Sequence, residues 1–260
     1  MTSKPIKRWL GGVQAHATIY EDVLVPGAKI LAIGDAEQSH VNLIDPEQIF
    51  YEYLARIANH LNVLRPGTAP LKFLHLGAGA LTLARWGALR YPNSTHVAVD
   101  IERELLDFVQ THLPLPEECR LRTLVADARA VLHDELSGEL YDVIVVDIFS
   151  GPEAPEHLTT PEYYGELNNS LAPDGLLFVN IGDDPPLAFT DRQVSAAQTA
   201  FGHVLLSSTP EMFTRRFPGN LILTASKDRI EDSVIQACQA AGPFPSAVKH
   251  SLDLDRFGKP

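Results

Sequence analysis

The sequence predicts an α/β fold: an open, mostly parallel sheet wrapped by helices, ending in an antiparallel hairpin and preceded by a small N-terminal β-sheet. Three observations predict it. From Leu71 onward, short apolar runs alternate with segments of helical periodicity, the pattern of a parallel sheet covered by helices. Before that point, residues 17–44 are rich in strand-favouring stretches. The last two apolar runs are separated by a loop without helical periodicity, as in a terminal hairpin.

The N-terminal segment is predicted to form a small antiparallel sheet followed by one helix. The turn pair Pro26 and Gly27 separates its first two strands, and the predicted strands cover residues 17–25, 29–33 and 41–44. Asp45 is placed to cap the helix, with Pro46 at the first helical position and Gln48 completing a capping box. The helix is expected to end near Leu64, before the next prolines.

The remainder is predicted to form seven strands connected mainly by helices. The strands are expected at residues 72–76, 96–99, 121–125, 143–146 and 176–179, with a terminal hairpin at 204–207 and 220–225. Helices are expected at residues 81–90, 102–112, 129–136, 161–171 and 191–201. The sequence therefore predicts two domains, an N-terminal sheet and helix at 1–64 and a catalytic domain at 65–260.

Composition favours small cationic ligands over nucleic acid. The 260 residues include 21 Lys and Arg against 33 Asp and Glu, which gives a formal net charge of −12, and the pI is about 5.2. Such a chain repels a phosphate backbone. The sequence offers no membrane-spanning run and no signal peptide, so we expect a cytoplasmic protein without a membrane partner. Two isolated cysteines and ten scattered histidines predict no metal site.

The ends of the first two predicted parallel strands carry a glycine turn and an acid. Ligands bind at the carboxyl ends of strands in open parallel sheets. Gly77 and Gly79 permit a tight turn close to a ligand, but Thr82 stands where a dinucleotide fingerprint has its third glycine. Asp100 follows about twenty residues later, where a carboxylate can accept both ribose hydroxyls of a nucleoside. A solvated acid at the end of a strand is the alternative interpretation of Asp100.

Two further acids follow the next strands. Asp127 is placed to accept a hydrogen bond from an adenine amino group, and it is equally placed to cap the following helix. Asp147 closes the apolar run 143–146, so its carboxylate emerges where a merely structural charge would be costly. Three acids and a glycine turn without a basic phosphate clamp favour an adenosine-type ligand that carries a positive sulfonium. These features predict the Rossmann-like fold of S-adenosylmethionine-dependent methyltransferases, with a seven-stranded sheet.

Three blocks of the sequence resemble the spermidine synthases, or polyamine aminopropyltransferases, over most of the chain. The first comprises residues 34–38 and 45–55, and the second comprises residues 76–85 with Asp100 and Asp127 downstream. The third comprises residues 147–152 and 158–164 and is similar to the catalytic loop of that family, which opens with an aspartate and leads into a helix. The pattern is that of a divergent, spermidine-synthase-like branch.

The resemblance implies a role for each matched residue. Asp147 would be the catalytic residue, and the nucleoside of the donor would be bound by Gln38, Gly77, Gly79, Asp100 and Asp127. Contacts to the amine substrate would come from Glu52, Ser150 and Tyr163, with core packing as the alternative role of Tyr163. The chain departs from the family at Ala80, where an acid usually holds the aminopropyl ammonium, and at Ser150, where an acid usually holds the acceptor amine.

Three hypotheses about function follow. The first is transfer of an aminopropyl group from decarboxylated S-adenosylmethionine, a co-substrate rather than a tightly bound cofactor, to a di- or polyamine. In the second, S-adenosylmethionine itself binds, because Ala80 removes a group that selects against a carboxylate, and a methyl group is transferred. The third is a non-catalytic protein that binds an adenosine nucleoside. The exposed edge of the N-terminal sheet also makes a homo-oligomer plausible.

Overall fold

The computed structural model describes residues 4–148 and 154–254, apart from the side chain of Leu252. Within these residues the chain forms two compact units. Unit 1 comprises residues 4–55 and 68–127, and unit 2 comprises residues 56–67, 128–148 and 154–254. The predicted division after residue 64 stays a prediction.

Unit 1 begins with a four-stranded antiparallel sheet in the order β1-β2-β3-β4. Its strands are β1 (Ile6–Leu10), β2 (Ala15–Glu21), β3 (Ala28–Ile33) and β4 (Ala36–Asn42). The sequence predicted three of them. It missed β1, in which four of the five residues are exposed, because an exposed edge strand lacks a sustained alternation of apolar and polar residues.

The helix after this sheet, α1 (Glu52–Leu64), ends where predicted but begins later. The side chain of Asn42 determines this difference. Its Oδ1 accepts the backbone N–H groups of Ile44 and Asp45, both at 3.0 Å, and its Nδ2 donates to Oε1 of Gln48 at 2.7 Å. Residues 45–48 therefore form a turn, and the predicted capping box at Asp45 and Gln48 is wrong because Asn42 binds both of its residues.

The rest of unit 1 consists of three parallel strands and two helices. These are β5 (Lys72–Leu76), α2 (Thr82–Arg90), β6 (Thr95–Asp100), α3 (Arg103–His112) and β7 (Arg120–Val125). Strand β6 pairs with β5 on one side and with β7 on the other. A single core joins the N-terminal strands to the α2 and α3 helices, with Leu10, Leu31, Leu81 and Val109 among its buried members.

Unit 2 contains most of α1, five strands and four helices. The strands are β8 (Tyr141–Val146), β9 (Leu171–Asp183), β10 (His203–Ser208), β11 (Gly219–Ser226) and β12 (Ala247–His250). Their order is β12-β10-β11-β9-β8, with β8 and β9 parallel and the other pairs antiparallel. The helices are α4 (Ala130–His133), α5 (Pro161–Asn169), α6 (Ala188–Ala200) and α7 (Asp232–Ala241).

The predicted fold class is confirmed: a small antiparallel sheet precedes a mixed, mostly parallel sheet of the Rossmann-like kind. The hairpin of β10 and β11 is also confirmed. The predicted number of strands is wrong, because β12 adds an eighth strand beside β10. Helix α7 was not predicted, and α4 is shorter than the predicted 129–136. With four residues, β12 is too short to show a period by itself.

Candidate active site

The glycine turn after β5 is held by hydrogen bonds to the backbone N–H and the carbonyl of one residue, Ala80. Gly77 has φ +91° and Gly79 has φ +49°, conformations that favour glycine. The N–H of Ala80 donates to Oγ of Ser39 at 3.1 Å, and its carbonyl accepts Nε of Arg85 at 3.0 Å. A Cβ on Gly79 would lie 2.9 Å from Ser39 Oγ. The turn therefore needs glycine for its backbone angle and for its close approach to β4.

Asp100, the last residue of β6, is hydrogen-bonded to this turn. Its Oδ2 accepts the N–H of Ala78 at 3.0 Å, and its Oδ1 accepts the N–H of Glu102 at 2.9 Å. Burial raises the pKa of the Asp100 carboxyl, while these backbone donors act in the opposite direction. An ionised carboxylate has about four lone-pair positions, so each oxygen can still accept a hydrogen bond from a ligand.

Gln38 lies beside the same turn, at an irregularity of β4. Leu31 pairs with Ser39 and Ala32 pairs with Glu37, so Gln38 is the extra residue of a β-bulge. Gln38 is exposed, whereas its neighbour Ser39 is buried against the glycine turn. A bulge directs a side chain away from the regular pleat. Gln38 is thus an exposed residue directly before Ser39, which contacts the glycine turn.

Asp127 follows β7 at this same end of unit 1. The N–H of Ala126 donates to the carbonyl oxygen of Asp100 at 3.2 Å, which ties the chain beyond β7 to the end of β6. The side chain of Arg129, directly before α4, forms no cap bond, and the adenine-binding and capping roles of Asp127 both stay predictions. Unit 1 thus places the glycine turn at Gly77 and Gly79 next to Asp100, while the roles of Gln38 and Asp127 stay predictions.

In unit 2, Asp147 is the first residue after β8 and is partly buried. Its Oδ1 accepts Nδ2 of Asn180, a buried residue of β9, at 2.8 Å. No role for Asn180 was predicted from the sequence. The signal that could have identified it is a single polar residue inside the apolar stretch 176–181.

Two of the three residues predicted to contact the amine lie in different environments. Glu52 is the exposed first residue of α1, where a carboxylate is favourable next to the positive end of the helix. Tyr163 is buried in α5, and its ring meets Tyr164 edge-on at 6.5 Å. Ser150 lies outside the described residues. No contact in the structure tests these three roles.

Other polar groups near the ends of the strands of unit 2 hold helices in place. Asp183 accepts the N–H and the hydroxyl of Thr190 at 2.7 and 2.8 Å, which anchors the start of α6. Arg215 binds both carboxylate oxygens of Asp191. In residues 4–148 and 154–254, no group of three or more His, Cys, Asp or Glu side chains could hold a metal ion, and none of their helices is long and apolar enough to cross a membrane.

Comparison with known proteins gives relatives of one kind. The chain is 26% identical over 163 residues to a polyamine aminopropyltransferase of Neisseria meningitidis serogroup A, a match covering 62% of this chain and 61% of the relative. It is 27% identical over 157 residues to a polyamine aminopropyltransferase of Chromobacterium violaceum, a match covering 60% of this chain and 59% of the relative. The matches thus span about three fifths of these relatives. No family model matches the chain.

Among solved structures, a probable spermidine synthase from Corynebacterium glutamicum is 26% identical, with a TM-score of 0.86, covering 100% of this chain and 93% of that one. Two others show the fold alone. A spermidine synthase in complex with the transition state analogue AdoDATO has a TM-score of 0.61 at 15% identity, covering 100% of this chain and 85% of that one. Human methyltransferase-like protein 13 in complex with SAH has a TM-score of 0.55 at 20% identity, covering 80% of this chain and 90% of that one.

Proposed function

Because the chain is a divergent member of the spermidine synthase family, we propose that it transfers an aminopropyl group from decarboxylated S-adenosylmethionine to a di- or polyamine. The observation that carries this proposal is the full-length likeness, at a TM-score of 0.86, to a probable spermidine synthase. The curated relatives, all polyamine aminopropyltransferases by name, support it independently.

Unit 1 supplies the proposed binding site for the nucleoside of the donor. Asp100 accepts the ribose hydroxyls, Asp127 accepts the adenine amino group, and Gln38 contacts the nucleoside from β4. The glycine turn at Gly77 and Gly79 lets the ligand approach the backbone closely. The neighbours in complex with AdoDATO and SAH are consistent with an S-adenosylmethionine-type donor.

Asp147 is the proposed base for the acceptor amine. An alkyl amine has a pKa near 10.4, as lysine does, so most of it is protonated at neutral pH. The Asp147 carboxylate binds the ammonium and takes its proton as the nitrogen lone pair attacks the carbon beside sulfur. A nitrogen–carbon bond forms, the carbon–sulfur bond breaks, and its electron pair stays on sulfur. The products are the aminopropylated amine and methylthioadenosine, a neutral thioether.

The test measures both products by mass spectrometry with decarboxylated S-adenosylmethionine and putrescine or spermidine. S-adenosylmethionine serves as the competing donor. We expect aminopropylated amine from the first donor, and a rate lower by about a hundredfold or more for Asp147→Asn. The affinity for methylthioadenosine should stay at the parental value, because this nearly isosteric change removes a charge from unit 2 only.

Asp174→Asn is the matched control. Asp174 lies near the start of β9 and is paired with Arg65 at 3.2 Å, with 72% of its side chain exposed. Loss of such a surface pair changes little, so this variant should keep the parental rate. Methylated amine in place of aminopropylated amine, or full activity of Asp147→Asn, would contradict the proposal.

A further inference from the structure

The turn between β1 and β2 is bound to the residue directly before α3. The backbone N–H groups of Gly12 and Val13 both donate to Oε2 of Glu102, at 2.7 and 3.2 Å. Nε2 of Gln14 donates to the carbonyl oxygen of Gly11 at 2.6 Å and closes the turn. Two successive N–H groups that point to one oxygen form a binding site for a carboxyl group. The N-terminal hairpin is thus attached to a residue 90 positions further along the chain.

The carboxyl group of Glu102 fits closely against this turn. Glu102 is 5% exposed, and a Cβ on Gly12 would lie 2.4 Å from its Oε2. Any residue other than glycine at position 12 would therefore displace the carboxyl group. Burial and a hydrogen bond with Glu104 raise the pKa of the Glu102 carboxyl, while the amides of Gly12 and Val13 lower it. Buried polar groups that lose their partners are unfavourable, so this contact holds the turn and the side chain in one geometry.

The backbone of Glu102 binds the acid that we assign to the ribose. Its N–H donates to Oδ1 of Asp100 at 2.9 Å, and Oδ2 of Asp100 accepts the N–H of Ala78 in the glycine turn. The carbonyl oxygen of Glu102 accepts the N–H of Leu105 at 3.1 Å and begins α3, but its side chain forms no cap bond with this fully described helix. That side chain extends to the hairpin instead. One residue therefore connects the hairpin with Asp100.

We propose that Glu102 is a positioning residue for the donor, which couples the N-terminal hairpin to the orientation of Asp100. This inference rests on the proposed function, in which Asp100 accepts the ribose hydroxyls. The hairpin fixes the side chain of Glu102, and the fixed backbone N–H occupies one lone pair of Asp100 Oδ1 while the others remain for the ligand. Coupling between two sites is reciprocal. A bound nucleoside should therefore make the hairpin open less often, and a detached hairpin should weaken nucleoside binding.

The first measurement is amide hydrogen exchange of the parent, followed by NMR with and without methylthioadenosine. We expect exchange of the Gly12 and Val13 amides to slow by about fivefold or more on binding, the lower end of the usual range for coupled sites. The N–H of Leu24, bound to Oδ1 of Asp22 in the turn between β2 and β3, is the internal control and should exchange at an unchanged rate. Equal effects of the ligand on both turns would overturn the inference without any variant.

Two variants break the contact from opposite ends. Glu102→Leu removes the acceptor, and Gly12→Ala places a methyl group against it. Each should weaken methylthioadenosine binding by about fivefold or more in calorimetry, and each should raise the KM for the donor more than it lowers kcat, because the contact orients the donor site and not the reacting amine. Glu102→Gln keeps an oxygen acceptor for the hairpin and should restore most of the affinity.

Gly11→Ala is the matched control. A Cβ on Gly11 would lie 3.8 Å from Oε1 of Glu104, an ordinary contact, so this variant adds the same methyl group to the same turn and should bind methylthioadenosine as the parent does. A parent that makes aminopropylated product, together with folded Glu102→Leu and Gly12→Ala variants of parental affinity, overturns the inference and leaves the proposed function standing. A parent that neither binds methylthioadenosine nor makes product overturns the proposed function, and this inference with it.

Discussion

Asp100→Ala is the change that tests the nucleoside site most directly. In the folded protein each oxygen of Asp100 accepts one backbone N–H, from Ala78 at 3.0 Å and from Glu102 at 2.9 Å. The carboxylate has about four lone-pair positions, and those that backbone donors leave can accept hydrogen bonds from a ligand. We assign these positions to the ribose hydroxyls. Alanine at this position therefore removes both the ligand contacts and the hydrogen bond to the glycine turn.

The expected loss of affinity follows from the number of bonds. A hydrogen bond to a charged group contributes about 1.5–3 kcal/mol, and each 1.4 kcal/mol is about tenfold in a dissociation constant. Loss of a single ribose bond therefore weakens methylthioadenosine binding by about tenfold or more, and loss of both by about a hundredfold or more. Two backbone N–H groups also lose their acceptor, so we expect a melting temperature lower by a few degrees.

Isothermal calorimetry with methylthioadenosine measures the affinity, and thermal melting shows whether the variant is folded. Asp107→Ala is the matched control, because Asp107 is an exposed acid on α3 whose substitution removes one negative charge from the same unit. A folded Asp100→Ala protein that binds methylthioadenosine as the parent does would make Asp100 a solvated acid at the end of a strand.

Three further predictions concern the glycine turn and the buried histidines. Ser39→Ala removes the acceptor of an N–H in the turn and should weaken methylthioadenosine binding several-fold in the same titration; parental affinity would contradict this. Gly79→Ala should destabilise the protein by about 1–3 kcal/mol, because of its φ of +49° and a contact at 2.9 Å. A Cβ on Gly165, in α5, would meet nothing within 4 Å, so Gly165→Ala should stabilise the protein by about 0.5–1 kcal/mol. Equal shifts of the melting temperature in Gly79→Ala and Gly165→Ala would contradict this prediction. Burial lowers the pKa of His60 to about 3 and that of His96 to about 4, from 6.5. The unfolded chain therefore binds more protons than the folded chain in this pH range. The stability present above pH 6.5 falls as the pH drops toward 4, by about 3 kcal/mol for the two residues at pH 5.5. Denaturant melts at pH 7 and 5.5 measure this loss, and a smaller loss in His96→Phe is the expected confirmation.

The acids at the ends of the strands were predictable from the sequence because they interrupt strong local patterns. Asp100 and Asp147 each end a buried apolar run, and strand identity follows from such runs without knowledge of the rest of the chain. Parallel strands then place their carboxyl ends at one edge. The turn at Gly77 and Gly79 was predictable for a similar reason, since paired glycines mark positions where positive φ is favourable.

The partners of these residues were not predictable in the same way. Ser39 lies 41 residues from Ala80 along the chain, and Asn180 lies 33 residues from Asp147. Many Ser and Asn side chains can form such bonds, and no local pattern distinguishes the ones that do. The start of α1 shows the same limit, because Gln48 had two possible partners, a helix cap and the side chain of Asn42.

The sequence by itself thus determined the fold class, the strand-end acids and the glycine turn, since each depends on residue types within a few positions of one another. The tertiary structure alone decided that Ser39 binds the turn, that Gln38 lies at a bulge, and that Asn180 donates a hydrogen bond to Asp147. Hydrogen-bonding side chains have similar local preferences wherever they occur. Which donor meets which acceptor is settled only when strand pairing and burial bring the two together and remove the competing water.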